Sequence, residues 1–331
     1  MRLGDLLIRI LAITSLASCV SIPAELKVRV PEAIAAISPS SCEAELRALQ
    51  GLGVRPADDA EQTERVLQHL ESRLHDMGYE TYREAAGSYA GVEQWNLFAE
   101  LRGREHPEVI CEIGAHYDTV HRSPGADDNG SGVAGTLQVA ASLHSFAPAR
   151  TIRFCFFAAE EVGLLGSAEH VAQVLSRNDE RVDGFLDLEM IGYASTEPDS
   201  QDAPVRIPIL ASLPRTGDFI LVAGNFGSGG LGNVFEACAR EFVPELKYYS
   251  ANRIAGFFAD AARSDHSSYW EAGLRGIMIS DTANFRNPHY HRSTDTIETI
   301  DFEFMSRVTR ASAATMMVWA GHAEGNGLKA D

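Results

Sequence analysis

The sequence is short of cysteine and of positive charge, and both shortages restrict what the protein can be. Five cysteines in 331 residues are too few for a disulfide-dense scaffold, and none has the paired spacing of a zinc knuckle. A metal site here would therefore depend on histidine and carboxylate ligands. Lys and Arg number 28 against 46 Asp and Glu, a formal net charge of −18. Because phosphate binding needs clustered cationic side chains, nucleic acid is not an expected partner.

Residues 1–19 contain a hydrophobic run that is too short to cross a bilayer, which takes about 20 residues. Two arginines precede the apolar stretch 10–17, and small residues follow it. This arrangement is typical of a secretory signal peptide. Residues 16–19 also resemble a bacterial lipoprotein cleavage box. We therefore expect export to the periplasm or cell envelope, with a membrane anchor through a lipid on Cys19. The alternative is an N-terminal amphipathic helix with a buried cysteine.

The other four cysteines are Cys42, Cys111, Cys155 and Cys238. Cys111 and Cys155 lie inside apolar, strand-like runs, where a free thiol packs as a small hydrophobic group. A disulfide between Cys42 and Cys238 would suit an oxidising compartment, but nothing in the sequence indicates one.

The composition is that of a globular protein, with 45% hydrophobic and 22% charged residues. The length allows two domains or one large α/β domain. No linker-like change of composition divides the mature chain. We therefore predict an N-terminal segment over 20–57 and a single domain over 58–331.

Strand-like and helical patterns alternate along this domain. Apolar residues at helical spacing predict a helix over 58–77 that ends at Gly78. The other predicted helices are 132–143, 164–175, 231–241 and 302–320, and the predicted strands are 79–84, 95–101, 109–114, 152–159, 184–190, 219–223 and 276–280. This alternation is typical of a parallel α/β sheet with functional loops at one edge. Four prolines in 195–218 predict a long structured loop there.

Five polar clusters occur where strand-like runs end, at 114–119, 124–132, 156–163, 185–193 and 287–296. In the first, strand alternation places His116 and Asp118 on one face, so Asp118 can orient the His116 ring. In the second, Asp127 and Asp128 stand beside several glycines. That pattern suits a backbone bent close to a cation, and it also suits a plain loop and helix cap.

The third cluster ends an apolar strand with Glu160 and Glu161. Partial burial at the sheet edge can raise a carboxyl pKa towards the value that a general base needs. Because neighbouring side chains point in different directions, one glutamate can bind a metal while the other handles protons. A solvated acid pair is the alternative.

The last two clusters each offer a choice. Asp187 and Glu189 share one face of a strand, so spacing alone does not say which is a ligand, and either can be part of an ion pair instead. His289 and His291 share a face if their segment is extended. Together the clusters supply imidazoles, several carboxylates and a spare glutamate, which suit zinc and a carboxylate-bridged pair of ions.

In this order and context, the motifs resemble the co-catalytic zinc aminopeptidases of metallopeptidase family 28. The resemblance runs from about residue 95 to about residue 308. The family includes secreted bacterial leucyl aminopeptidases and, more distantly, glutamate carboxypeptidase ectodomains, glutaminyl cyclases and transferrin-receptor ectodomains. It implies a three-layer α/β/α sandwich around a mixed, mostly parallel central sheet, with two divalent metal ions, most simply zinc, at the carboxyl ends of central strands.

The resemblance also implies roles for individual residues. His116 and Glu189 would bind one zinc, Asp127 would bridge both, Glu161 and His291 would bind the other, and Glu160 would be the general base. His291 is preferred over His289 because its spacing to Asp295-Thr296 matches the family pattern. Glu189 stands where the best-known aminopeptidases have Asp, and we prefer it to Asp187. Asp118 and Asp265, the latter within the motif 263–266, would support the ligands without binding metal.

The expected function is metal-dependent removal of N-terminal residues from peptides with a free N-terminus. The walls of the substrate pocket are expected from 195–218 and 250–264. One alternative is a glutaminyl-peptide cyclase, which uses a single zinc, and another is a peptidase-like binding ectodomain that has lost catalysis. The sequence does not indicate an oligomeric state or a preferred N-terminal residue.

Overall fold

The computed structural model describes residues 20–177, 179–203 and 214–321. The predicted signal peptide and Cys19 lie outside these residues, so export and lipidation stay predictions. Within the described residues, no helix combines the length and the apolar character that a membrane crossing requires. Cys42, Cys111, Cys155 and Cys238 are all free thiols and all buried.

An eight-stranded mixed sheet lies at the centre of the described chain. Its strands are β1 (Thr81–Tyr89), β2 (Val92–Leu101), β3 (His106–His116), β4 (Arg150–Phe157), β5 (Arg181–Glu189), β6 (Ile220–Gly224), β7 (Tyr248–Ala251) and β8 (Gly276–Ser280). They are ordered β1-β2-β4-β3-β5-β8-β6-β7 across the sheet. The pairs β4-β3, β3-β5, β5-β8 and β6-β7 are parallel, and the pairs β1-β2, β2-β4 and β8-β6 are antiparallel.

Eight α-helices of the described residues cover the two faces of this sheet. They are α1 (Ala24–Ile34), α2 (Pro39–Gln50), α3 (Ala60–Asp76), α4 (Gly132–Leu143), α5 (Leu165–Ser176), α6 (Gly229–Phe242), α7 (His266–Glu271) and α8 (Phe302–Ala320). Helices α5 and α7 lie on one face, over a core that includes Phe98, Phe157 and Phe185. The other six lie over a larger core on the opposite face. The predicted three-layer α/β/α fold is therefore confirmed.

The first two helices were not predicted, although α2 has a clear start signal. Ser38 is its N-cap, and Ser38 and Ser41 form a reciprocal capping box ahead of the helix, with Pro39 in the first turn. Both α1 and α2 contribute to the larger core. The segment 20–57 is thus packed into the same structure as the rest of the described chain.

The central strands are buried on both faces, and β4 is buried at every position from Arg150 to the two phenylalanines at its end. Because β3, β4, β5 and β8 run parallel, their carboxyl ends meet along one edge of the sheet. His116 ends β3, Glu189 ends β5, and Glu160 and Glu161 follow β4. Open α/β sheets bind ligands at this edge.

A network of buried charges lies under α5, away from that edge. One carboxylate oxygen of Glu112 lies 3.0 Å from both Arg153 Nη1 and His170 Nε2, and the other accepts a hydrogen bond from the Tyr269 hydroxyl. The Nδ1 atom of His170 lies 2.9 Å from a Glu84 oxygen. Burial opposes ionisation of Glu112, but His170 and Arg153 outweigh it and lower the Glu112 pKa to about 2. Burial likewise opposes the charge on His170, but Glu112 and Glu84 raise its pKa to about 9.

We expect His170→Gln to reduce the dependence of stability on pH above neutrality. A histidine with a folded pKa of about 9 and an ordinary value of 6.5 stabilises the fold fully below pH 6.5 and loses that contribution as the pH rises through 9. The variant should also be less stable at pH 7 by about 3 kcal/mol, since it breaks a buried ion pair. Thermal unfolding from pH 6 to pH 9.5 measures both effects. The exposed His75, replaced by Gln, is the control, and equal pH slopes for wild type and His170→Gln would contradict the expectation.

Candidate metal centre

Two groups of side chains that could hold a metal ion meet at the carboxyl edge of the sheet. One group is His116, Asp128 and Glu189, and the other is Asp128, Glu161 and His291. Within each group, the ligand atoms lie within 4.8 Å of one another. Asp128 belongs to both. Its Oδ1 lies 3.6 Å from His116 Nε2, and its Oδ2 lies 3.0 Å from His291 Nε2. The arrangement is that of a carboxylate shared between two cations.

The polar atoms of this centre fit a bound cation. Asp128 Oδ2 and Glu161 Oε1 are buried and have no hydrogen-bond partner among the described residues. Buried oxygens without a partner are costly, and they mark a place where an ion or water belongs. Imidazole nitrogen and carboxylate oxygen are ligands that zinc accepts in tetrahedral sites. The donor set and its unpaired oxygens thus suit zinc.

The carboxyl groups of the centre differ in how readily they ionise. Burial acts against ionisation of Asp128, but His116 and His291 lower its pKa to about 2, which favours the anion. Burial and the charge of Asp128 raise the pKa of Glu161 to about 7. A cation binding there would compete with a proton, as metal ligands generally do.

His116 and the two glutamates that follow β4 are held by one carboxylate, that of Asp118. The His116 Nδ1 atom lies 3.4 Å from Asp118 Oδ1 and 3.2 Å from the Asp118 carbonyl oxygen. The backbone amides of Glu160 and Glu161 donate to the two carboxylate oxygens of Asp118, at 3.0 and 3.2 Å. Asp118 therefore supports the ligand ring and also fixes the turn that carries both glutamates.

The structure separates the two acids of β5. Glu189 Oε2 lies 3.4 Å from His116 Nε2, and it accepts hydrogen bonds from Asn129 Nδ2 and Ser264 Oγ. Asp187 instead accepts from the backbone amide of His266 and lies 2.9 Å from the His266 ring. Glu189 belongs to a candidate ligand group and Asp187 does not, so the preference for Glu189 stays a prediction with this geometry beside it.

The two histidines of the last cluster are separated as well. His291 Nε2 lies 3.0 Å from carboxylate oxygens of both Asp128 and Glu161. His289 turns away and its Nδ1 lies 2.9 Å from the Thr294 hydroxyl. Only His291 of the pair belongs to a ligand group.

Asp127 is a correction, because the structure places Asp128 in the shared position that the sequence analysis assigned to Asp127. Asp127 Oδ1 accepts hydrogen bonds from the Gly192 amide and the Ser131 hydroxyl, and its Oδ2 accepts from Asn287 Nδ2. Both oxygens of the Asp127 carboxylate thus already accept hydrogen bonds from other parts of the fold.

The physical reason lies in the backbone. The amides of Asp127 and Asp128 both donate to the Asp295 carboxylate, at 2.9 and 3.2 Å. Because Asp295 fixes both backbone amides, the side chains of Asp127 and Asp128 project in different directions. Only the Asp128 side chain reaches His116 and His291.

Glu160 lies beside the ligands but outside both groups. Its Oε2 is 3.8 Å from His116 Nε2. Burial, together with the nearby charges of Glu189 and Asp265, raises the pKa of Glu160 well above its ordinary range, although His116 acts in the opposite direction. A carboxylate with a raised pKa next to a cation site is suited to accept and return a proton.

Asp265 is fully buried near the same ligands, immediately before α7. Burial, followed by the charge of Asp187, raises its pKa well above its ordinary range. It is in neither ligand group.

Two further residues of the centre, Asn129 and Tyr290, were not singled out from the sequence, and Arg263 was expected only as part of the motif 263–266 and of the pocket wall. Asn129 holds Glu189, and its Oδ1 also accepts from the amides of Gly132 and Met190. The Tyr290 ring stacks on His291 with centroids 3.8 Å apart, and Arg263 Nη2 donates to the Tyr290 hydroxyl at 3.1 Å. Asn129 and Tyr290 lie within polar clusters seen in the sequence and Arg263 lies in the motif 263–266, but only side-chain direction, which a sequence does not carry, shows their contacts.

An apolar pocket of about 160 Å³ adjoins the metal centre. Glu189, Arg263 and Tyr290 line both spaces. The apolar wall includes Leu221, Ala223, Ile254, Phe258, Met278 and Phe285. Residues from 250–264 thus contribute as expected, whereas none of the described residues in 195–218 is part of the lining.

The chain matches known sequences over most of its length. A family model described as "Peptidase family M28" matches residues 96–316. The uncharacterized protein YfbL of Escherichia coli K12 is 33% identical over 282 residues, which cover 82% of this chain and 85% of that protein. A probable zinc metalloprotease of Phaeosphaeria nodorum is 27% identical over 259 residues, which cover 67% of this chain and 51% of that protein.

Solved structures share the fold. The LapA aminopeptidase of Legionella pneumophila superposes with a TM-score of 0.75 at 22% identity, covering 93% of this chain and 78% of its own. A zinc aminopeptidase from Bacillus subtilis gives a TM-score of 0.69 at 17% identity, covering 88% and 97%. A glutaminyl cyclase from Porphyromonas gingivalis gives 0.62 at 18% identity, covering 84% and 97%. At these identities, the likeness is one of fold.

The neighbouring aspartates form a matched pair for testing the centre. We expect Asp128→Asn to lower the zinc content of the purified protein strongly, because it removes a charged ligand from both groups. Asp127→Asn should lower the unfolding temperature, since it disturbs buried hydrogen bonds worth about 1–3 kcal/mol, but should keep most of the zinc. Metal analysis by mass spectrometry and thermal unfolding measure the two effects. Loss of zinc from Asp127→Asn alone would restore the assignment made from the sequence.

Proposed function

The chain belongs to peptidase family M28, and we propose that it is a zinc-dependent aminopeptidase that removes single N-terminal residues from peptides. The observation that carries the proposal is the position of Asp128, whose two oxygens face two separate groups of ligands. Glu160 stands beside these groups without belonging to either. Ligands and proton acceptor are therefore distinct side chains, as metal-assisted hydrolysis requires.

His116, Asp128 and Glu189 would hold one ion, and Asp128, Glu161 and His291 would hold the other. When bound, zinc polarises a carbonyl as a Lewis acid and lowers the pKa of water from about 15.7 towards about 7. The protein contributes the fixed positions of these ligands. Asn129 and Ser264 hold Glu189, and Asp118 orients His116.

Glu160 would carry the proton during peptide hydrolysis. Its carboxylate takes a proton from the attacking water as the carbon–oxygen bond forms, and returns that proton to the leaving amine as the carbon–nitrogen bond breaks. The raised pKa of Glu160 makes its carboxylate a stronger proton acceptor than an ordinary glutamate. Because its amide is held by Asp118, the base stays aligned with the ligands throughout.

The surroundings of the centre fit the N-terminal end of a peptide. The buried carboxylates attract a free α-amino group, and the adjoining pocket offers apolar walls to the side chain of the first residue. Arg263 and Tyr290 stand where the two spaces join. The formal net charge of −18 favours neutral or basic peptides over acidic ones.

Hydrolysis of aminoacyl p-nitroanilides by the purified protein tests the proposal. We expect release that a chelator abolishes and zinc restores, fastest with apolar first residues. N-acetylated versions of the same substrates are the matched control, and they should not be cleaved because they lack the free amine. Ammonia release from an N-terminal glutamine peptide without cleavage would point to a cyclase instead. A metal-free protein that is inactive on every substrate would overturn the proposal.

Replacing the base should separate catalysis from metal binding. We expect Glu160→Ala to lower kcat by about 10²–10⁴-fold, while the zinc content stays close to that of the wild type. Steady-state kinetics and metal analysis on the same preparation measure both. Glu197→Ala, at an exposed position, is the control and should change neither. Full activity in Glu160→Ala would remove Glu160 from the mechanism.

A further inference from the structure

The loop 117–125 connects the two ends of the metal centre, since it leads from His116 at the end of β3 to Asp128. A buried arginine from outside the loop holds both of its ends. Arg55 is 2% exposed. Its Nε donates to the carbonyl of Tyr117 at 2.8 Å, and its Nη1 and Nη2 donate to the carbonyls of Pro124 and Gly125, both at 3.0 Å.

Hydrogen bonds of the Arg55 backbone fix the position of this residue against the loop. The Arg55 amide donates to the Thr119 hydroxyl at 2.9 Å, and the Thr119 amide donates to the Arg55 carbonyl at 3.0 Å. Gly125 has a φ of +62°, and a Cβ there would lie 2.3 Å from the Thr119 methyl and 3.0 Å from Arg55 Nη2. The loop is therefore folded tightly around the guanidinium, with no room for a side chain.

Arg55 is a cation behind an acidic centre. No ion pair joins its guanidinium to a carboxylate among the residues that the structure describes. All hydrogen bonds of the guanidinium go to backbone carbonyls, the longest being that to Gly53 at 3.5 Å. Burial lowers its pKa to about 10, and the charges of Asp295, Asp118 and Asp128 act in the opposite direction. Arg55 thus stays charged at neutral pH and interacts electrostatically with Asp128 and with the carboxylates of Asp118 and Asp295.

Other parts of the same N-terminal segment reach loops of the centre. Leu46 of α2 lies against Gly130. A Cβ on Gly130 would be 2.9 Å from a methyl group of Leu46. The Gln50 side chain accepts a hydrogen bond from the Ile297 amide at 3.2 Å, close to Asp295. Leu46, Gln50 and Arg55 all lie before residue 96, where the family match begins.

We propose that Arg55 is a positioning residue of the metal centre, which makes segment 20–57 a working part of the catalytic unit. The proposal rests on the proposed function in one respect, namely that the ligand groups bind zinc. By fixing the carbonyls of Tyr117 and of Pro124 and Gly125, Arg55 sets the distance between Asp118 and Asp128. Ligand support of this kind is worth about 10–100-fold in metal affinity.

Two variants of Arg55 and one control test the proposal. Arg55→Gln removes the charge and the three-way contact, whereas Arg55→Lys keeps the charge but loses the forked geometry. Arg73→Gln is the control, because Arg73 pairs with the buried Glu45 at 2.9 Å and thereby joins α3 to α2 without touching loop 117–125. Zinc affinity by competition with a chelator, the visible spectrum of the cobalt-substituted protein, and thermal unfolding are measured for each.

We expect zinc affinity to fall by about tenfold or more in Arg55→Gln, with an altered cobalt spectrum. Arg55→Lys should show a smaller loss of affinity and an altered spectrum at nearly normal unfolding temperature. Arg73→Gln should unfold at a lower temperature with unchanged zinc affinity and spectrum.

The outcomes separate the two proposals. If the wild type binds zinc and both Arg55 variants match its affinity and cobalt spectrum, the role of Arg55 is overturned while the proposed function stands. If Arg55→Gln does not fold, Arg55→Lys decides, and a wild-type spectrum and affinity in that variant overturn the inference. A wild-type chain that binds no zinc overturns the proposed function and this inference with it.

Discussion

Repulsion among buried carboxylates is the constraint on which the functional edge of this sheet depends. Asp127, Asp128, Asp295 and Glu189 are all at most 9% exposed, and a buried charge without compensation is expensive. The fold answers with donors directed at the carboxylates that do not face the centre. Backbone amides satisfy Asp118 and Asp295, and amide and hydroxyl groups satisfy Asp127. Among the ligand oxygens of the described residues, Asp128 Oδ2, which faces His291 at 3.0 Å, and Glu161 Oε1 are left without a hydrogen bond.

Strand β3, which carries His116 at its end, holds a buried acid earlier in the strand, and there the charge is fully paired. Glu112 of β3 is as deeply buried as His116, but Arg153, His170 and Tyr269 satisfy it completely. The charges in the middle of β3 are thus fully paired and contribute to folding, and the carboxyl end of the strand is left open to a cation. A single parallel strand can serve both purposes because its middle lies under helix α5 and its carboxyl end lies at the edge of the sheet.

The sequence was most informative where one local pattern decides a structure. Strand β8 was predicted with the bounds observed, and α8 was too, because β8 is a short apolar run and α8 begins directly after the N-cap Asp301. Helices α1 and α2 were not predicted, although Ser38 and Ser41 form a capping box at the start of α2.

The site was harder to predict wherever two neighbours compete. Between Asp127 and Asp128, the outcome depends on how Asp295, more than 160 residues away, holds their amides. Arg55 could not be inferred at all, since its partners are carbonyl groups, which have no sequence signature. Sharing Asp128 has a final consequence for occupancy. If two cations bind as proposed, they share this carboxylate and their binding is thermodynamically linked: occupancy of either site changes the affinity of the other by the same factor. The centre should therefore fill as a coupled pair and not as two independent sites.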